Sequence, residues 1–375
     1  MAIGSVTINH SNQNQGSFAG VEKKFLFTGP GNNSDNDDQV LSLNGDSDLD
    51  ALLGASASAL KTQLQAARVN AGNQWLAWAI PTDGDWADAV NLALEKPHDL
   101  EPEAVVVCTP VTEASQITAA QAKMIDVNLK HGLFLTAHLC VAGIDVASES
   151  WSQALGRIKG LVSALVAHRV SVTALLHGND LGVVAGRLCH TGARIADTPM
   201  RNRTGALVNL GDSPIDKNRA PLTMAHISDL ATARISVPQW HAGQPGMYWA
   251  DHPLLDKSGG DFQVYEHLRI LDYVARRVRV LALAKIGDSS LNGTPKSMAF
   301  HTSYFMRPLR EASHEQIVDG EPFPGLIKSP KPEHLIITWA TQTKVDIYIK
   351  VRPLNCPKDI GINLMLDLNP AIAAE

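Results

Sequence analysis

The chain has 375 residues, which at roughly 150 residues per domain predicts two or three domains. Hydrophobic residues make up 45% and charged residues 19%, enough apolar content for a packed core and too little charge for wholesale disorder. The 32 basic and 38 acidic residues leave a formal charge of −6, and aromatics are 5%, which argues against a dedicated nucleic-acid binder.

Apolar runs such as 161–167 and 278–284 are cut by charge well short of the ~20 residues that cross a bilayer, so the sequence predicts a soluble protein without a membrane partner. The opening MAIGSVTINHSNQNQ has neither a basic patch nor an apolar core, and no secretory signal is predicted. Cys108, Cys140, Cys189 and Cys356 are widely spaced without a CxxC pair and read as thiols in a reducing compartment.

In chain order, residues 1–20 are small and polar with one alternating stretch around Val6 and Ile8, an extended arm. A strand at 24–28 leads into the turn-rich GPGNNSDNDD, and a helix is predicted over 48–70 behind Ser47 or Asp48. From 74 a regular alternation begins. Strands are predicted at 74–80, 104–108, 133–140, 170–176 and 206–210, with helices at 86–94, 113–129, 149–168 and 180–195 between them. Strands this apolar, separated by helices, indicate a three-layer α/β core with a largely parallel sheet buried on both faces.

A helix at 224–233, a Gly/Pro-rich stretch and an amphipathic helix at 265–285 follow. Beyond NGTP at 292–295, strands at 335–340, 345–351 and 362–368 suggest a smaller α+β unit ending in a strand. The expected division is an arm (1–22), an α/β body (23–295, with 74–215 as an insertion) and a C-terminal assembly domain (296–375).

Catalytic leads are weak. FLFTGPGNNS starts like a dinucleotide loop but runs into DNDD, which would repel a pyrophosphate, and no GxxxxGK[ST] is present. Gly211-Asp212-Ser213 resembles the nucleophile block of GDSL-type hydrolases, yet none of the later histidines tested has Asp three residues before it to complete a triad. The 14 histidines include no HxxxH or HExxH. No cofactor or metal site is expected; an α/β hydrolase using Ser213, or a nucleotide enzyme, is the competing reading.

The more informative feature is the helix at 265–285. Leu268, Leu271, Val274, Val278 and Leu281 form an apolar stripe, and Arg269, Asp272, Arg276 and Arg279 share another face, which reads as a cationic docking surface or a solvated face.

GMYWADHPL at 246–254 followed by GGDFQVYEHLRILDYVARRVR resembles the sheath proteins of contractile phage tails and related injection devices, in which a glycine-led aromatic strand precedes an arginine-rich helix. The order of parts agrees, although the arginine-threonine usual after the tryptophan strand is here Asp251-His252. The resemblance implies a non-enzymatic subunit that polymerises helically around a tail tube and contracts to drive it through a cell envelope, without nucleotide hydrolysis. Implied partners are many copies of the chain, the tube protein, the baseplate and the tail terminator, in a virion tail assembled in the bacterial cytoplasm. It further implies that both arms add as strands to neighbouring subunits, through Val6 and Ile8 at one end and Ile362, Leu364 and Leu366 at the other. Arg269, Arg276 and Arg279 would face the tube.

Overall fold

The computed structural model describes residues 20–72, 74–318 and 320–366. Its centre is a six-stranded sheet of β1 (Phe25–Gly29), β2 (Leu41–Asn44), β3 (Leu76–Pro81), β4 (Ala104–Val107), β5 (Thr136–Ala142) and β6 (Val170–Leu175), ordered β2-β3-β1-β4-β5-β6. All neighbours pair in parallel except β2 with β3. Leaving β2 aside, the parallel strands run second, first, third, fourth, fifth in chain order, the doubly wound arrangement of flavodoxin-like sheets.

Six helices flank these strands: α1 (Leu49–Leu53), α2 (Ala59–Ala71), α3 (Trp86–Leu94), α4 (Ala114–His131), α5 (Trp151–Val162) and α6 (Asp180–Cys189). β1, β4 and the first six residues of β5 are wholly buried, as apolar strands between two helical layers must be. On one face α3, α4 and α5 pack with α7 (Met224–Thr232). On the other, α2 and α6 meet so closely that a Cβ on Gly182 would lie 2.0 Å from the Gln63 carbonyl oxygen, and one on Gly186 would lie 2.3 Å from that of Ala67.

The helix predicted over 48–70 is two helices. Gly54, at φ +87, ends α1, and Ser58 caps α2 by accepting a bond from the Lys61 amide. The strand predicted at 206–210 is irregular chain whose Leu207 amide bonds to Met247. β2 carries only one fully buried residue, too short an alternation to stand out in sequence. Because β1 lies between β3 and β4, residues 74–175 build the same sheet as β1 rather than a separable unit.

The Gly/Pro-rich stretch forms a hairpin, β7 (Pro238–His241) and β8 (Gln244–Trp249). Then come α8 (Tyr265–Leu283), α9 (Pro295–Phe305), α10 (Arg307–Ser313) and two antiparallel pairs: β9 (Gln316–Val318) with β10 (Glu321–Phe323), and β11 (Leu335–Trp339) with β12 (Val345–Ile349). These elements enclose a second core around Phe305, Met306, Leu309, Leu326, Leu335 and Ile337. Tyr265 and Leu268 of α8 belong to the main core, and Ile270 and Val274 belong to the second.

Candidate assembly interface

The arginines of α8 are the first test of a cationic face. Arg269 is buried, and its guanidinium donates from Nε and Nη2 to the two carboxylate oxygens of Glu103 at 2.6 and 2.8 Å. Burial alone would push the Glu103 carboxyl up, but the charge of Arg269 and its hydrogen bonds override that and hold it below the usual range. Asp272 forms a bidentate pair with Arg169 at 2.9 and 3.0 Å. Arg276 is buried, donating to the Phe134 carbonyl and, at 3.3 Å, to Glu22, which also receives Arg277 at 3.1 Å.

The partners share a location. Glu22, Glu103, Phe134 and Arg169 lie just before β1, β4, β5 and β6 respectively. The polar face of α8 therefore crosses the amino-terminal ends of the sheet strands and neutralises the charges gathered there. This corrects the sequence expectation for two residues: Arg269 and Arg276 are turned inward within their own subunit and offer no outward charge. Charge periodicity on a helix does not distinguish solvent from a partner inside the same chain. Arg279, near the other end of α8, is exposed, with one long bond to the His131 carbonyl at 3.4 Å.

Beside α8 lies a polar cluster that sequence reasoning missed. His138 on β5 and His252 are wholly buried, with His252 Nε2 3.0 Å from His138 Nδ1. His138 Nε2 is 3.1 Å from the Tyr265 hydroxyl, and His252 Nδ1 is 2.8 Å from Ser236 Oγ, which in turn accepts from the Trp249 indole at 2.9 Å. One relay satisfies all of these: Ser236 donates to His252, His252 to His138, and His138 to Tyr265. Burial drives the His138 pKa down to about 3 and that of His252 well below its usual value, so both rings are neutral. The one signal available in sequence was a histidine inside an otherwise apolar strand.

The chemical leads do not assemble a catalytic set. Ser213 is exposed, and among the described residues no histidine or carboxylate hydrogen-bonds to it. The 29–36 loop is stitched to its own chain, with the side-chain amides of Asn32, Asn33 and Asn36 bonded to carbonyls of residues 51–57. At the carboxyl ends of β1 and β4, where ligands of such sheets bind, a crevice of about 360 Å³ is lined by Gly29, Thr82, Asp85, Thr109 and Gln116. Asp85 and Gln116 are committed to capping α3 and α4. Among the described residues no group of three or more His, Cys, Asp or Glu is placed to hold a metal, and no helix is long and apolar enough to cross a membrane.

The most conspicuous surface is at the carboxyl end. Ile360, Ile362, Leu364, Met365 and Leu366 are 72–94% exposed in irregular chain that pairs with no strand among the described residues. The strand expected at 362–368 is therefore not formed within the subunit as far as residue 366. The other predicted arm residues, Val6 and Ile8, lie outside the described residues. β11 and β12 pair only with each other among the described residues, and Ile336 and Tyr348 are exposed on them.

Residues 3–253 match the family model "DUF2586, N-terminal domain", and residues 261–369 match "DUF2586, C-terminal domain". The chain is 40% identical over 372 residues to the "Putative tail sheath protein" of Haemophilus phage HP1, covering 97% of this chain and 98% of that one. Among solved structures, the helical sheath of the anti-feeding prophage in its contracted state superposes with a TM-score of 0.60 at 12% identity, covering 98% of this chain and all of the other. The sheath tail protein of Desulfitobacterium hafniense gives 0.56 at 10% identity over 93% and 96% of the two chains, and that of Listeria innocua 0.55 at 8% over 90% and 93%. The chain belongs to the DUF2586 family of tail sheath proteins and carries the fold shared by sheath subunits of contractile systems.

Proposed function

We propose that the chain polymerises as a helical sheath around a tail tube and shortens from a strained extended lattice to a lower-energy contracted one, driving the tube through a target envelope without nucleotide hydrolysis. The observation that carries this is the exposed apolar segment at 360–366. A monomer gains nothing by holding five large apolar side chains in water, whereas a strand offered to a neighbour must do so before it docks.

The magnitudes favour a lattice over a tight pair. Burying Ile360, Ile362, Leu364 and Leu366 contributes roughly 6–12 kcal/mol at 1.5–3 kcal/mol each. Ordering seven residues costs roughly 7–14 kcal/mol at 1–2 kcal/mol each. The two nearly cancel, so the roughly 0.5–1.5 kcal/mol from each added backbone hydrogen bond decides the balance, and one link is weak. Repeated around a ring, weak links hold and still permit reorientation. The β11–β12 hairpin suits the receiving role, since a two-stranded sheet is marginal alone and gains from a third strand.

Arg279, exposed on α8, remains a candidate contact to an acidic tube surface. The baseplate and a terminator would cap the ends, in a virion tail assembled in the host cytoplasm. Deleting residues 1–15, or 360–375, is expected to abolish tubes in negative-stain micrographs while circular dichroism of the α/β core is retained. Normal tubes from both truncated chains would refute the arm-linked lattice.

A further inference from the structure

The C-terminal arm does not leave the body where its backbone pairing ends. Among the described residues the last backbone bonds to the body are Lys328 to Arg352, the bridge of Ile327 with Pro353, and Leu354 to Leu326 at 3.1 Å. Four residues later, Lys358 places its ammonium 2.8 Å from both carboxylate oxygens of Asp251 and 3.0 Å from Glu266. Asp251 stands just after β8 and also accepts the His252 amide at 2.8 Å; Glu266 is in the first turn of α8 and is almost wholly buried. Two elements of the body thus converge on one cation of the arm. Burial alone would lower the Lys358 pKa, yet the two carboxylates raise it above the ordinary value. Two residues beyond the cluster the exposed apolar run begins at Ile360.

We propose that the Lys358–Asp251–Glu266 cluster is the fixed origin of the C-terminal arm, setting the point and the reach from which residues 360–366 are offered to a second copy of this chain. This rests on the arm reading above and adds a positioning residue to it. At 3.3–3.6 Å per extended residue, the eight steps from Lys358 to Leu366 span at most about 26–29 Å. With the cluster released, the origin retreats to Leu354 and the free tether lengthens by about 13–14 Å. A lattice spacing matched to the short tether is then no longer specified.

The native thiols supply the probe. Cys356 lies between the two anchors and is half-buried, and burial raises its pKa, whereas Cys108, Cys140 and Cys189 are buried in the core. In the unassembled full-length chain, Lys358→Met is expected to speed maleimide labelling of Cys356 severalfold while the three core thiols stay unreactive. In electron micrographs the same variant is expected to lose tubes or to form them with an altered helical repeat, and Lys358→Arg is expected to restore both readouts. Should Lys358→Met fail to fold because Glu266 is left charged and buried, Lys358→Met with Glu266→Gln removes that charge and is read in the same way. Unchanged Cys356 labelling, or native tubes in native yield from the released variant, overturns the proposal. A chain ending at residue 359 separates the two layers. If it still forms native tubes, the arm reading itself fails; if it forms none while Lys358→Met assembles normally, only the anchor fails.

Discussion

Acidification from pH 7 to pH 5 is expected to weaken the folded chain by about 2 kcal/mol or more, through the buried pair His138 and His252. Both folded pKa values lie below the unfolded value of about 6.5, that of His138 at about 3, because burial disfavours the imidazolium. Below pH 6.5 the unfolded chain therefore binds protons that the folded chain refuses. The stability is fully present above about pH 6.5 and is lost as the pH falls toward the folded values. At pH 5 the solution is about 1.5 units below the unfolded pKa of His138, which is about 2 kcal/mol, and His252 adds to the loss in the same direction. Groups facing the pair do not reverse the sign, since the charges of Arg269 and Lys358 further oppose protonation of His252. Glu103 favours protonation of His138, but burial and the charge of Arg269 outweigh it, and its own contribution is lost only below about pH 4.5. Urea unfolding followed by circular dichroism between pH 7 and 5 reads the effect as a loss of stability that steepens toward the acid end, with a slope above one proton's worth. His252→Gln, keeping a polar partner for His138, should roughly halve it. Stability that is flat from pH 7 to 5, or a slope untouched by the substitution, would refute the neutral buried relay.

Arg269→Ala strands Glu103 as a buried, uncompensated carboxylate and is expected to cost about 3–5 kcal/mol, much of it recovered when Glu103→Leu is added; the double-mutant cycle in urea measures it. Gly182→Ala drives a Cβ into the Gln63 carbonyl, and loss of about 1–3 kcal/mol in thermal or urea unfolding is expected as α2 and α6 separate. Arg279→Glu, on an exposed side chain, should leave stability within about 0.5 kcal/mol but reduce recruitment of the chain onto purified tubes in a co-sedimentation assay. Unaltered recruitment would remove α8 from the tube-facing surface.

The α/β core was legible because buried parallel strands announce themselves as apolar runs: β4 and α3 were placed to within a residue, and β1, β3, β5 and β6 were found with ends shifted by no more than three. The helices α9 and α10 were not anticipated. Pro295 and Pro308 sit in their first turns, where proline is tolerated, so residues that read as turn markers are helix starters there. The hairpin β7–β8 hid in a Gly/Pro-rich stretch because its turn needs Gly243 at φ +79. Sequence pointed to the apolar terminal segment, which is exposed as far as residue 366, but could not tell that Arg269 and Arg276 of the arginine stripe turn inward. The complement of Arg269 lies 166 residues upstream and that of Arg276 lies 254 residues upstream, distances over which no local pattern speaks.

The placement of α8 has a mechanical consequence. Nineteen residues at 1.5 Å each make a strut about 28 Å long, rooted at one end in the main core and packed farther along in the second. Its ion pairs with Glu22, Glu103 and Arg169, and the bond from Arg276 to the Phe134 carbonyl, pin it across the starts of four strands, so a pull on the C-terminal unit is spread over several strands and not borne by a single loop. Such a body would transmit load as a stiff block.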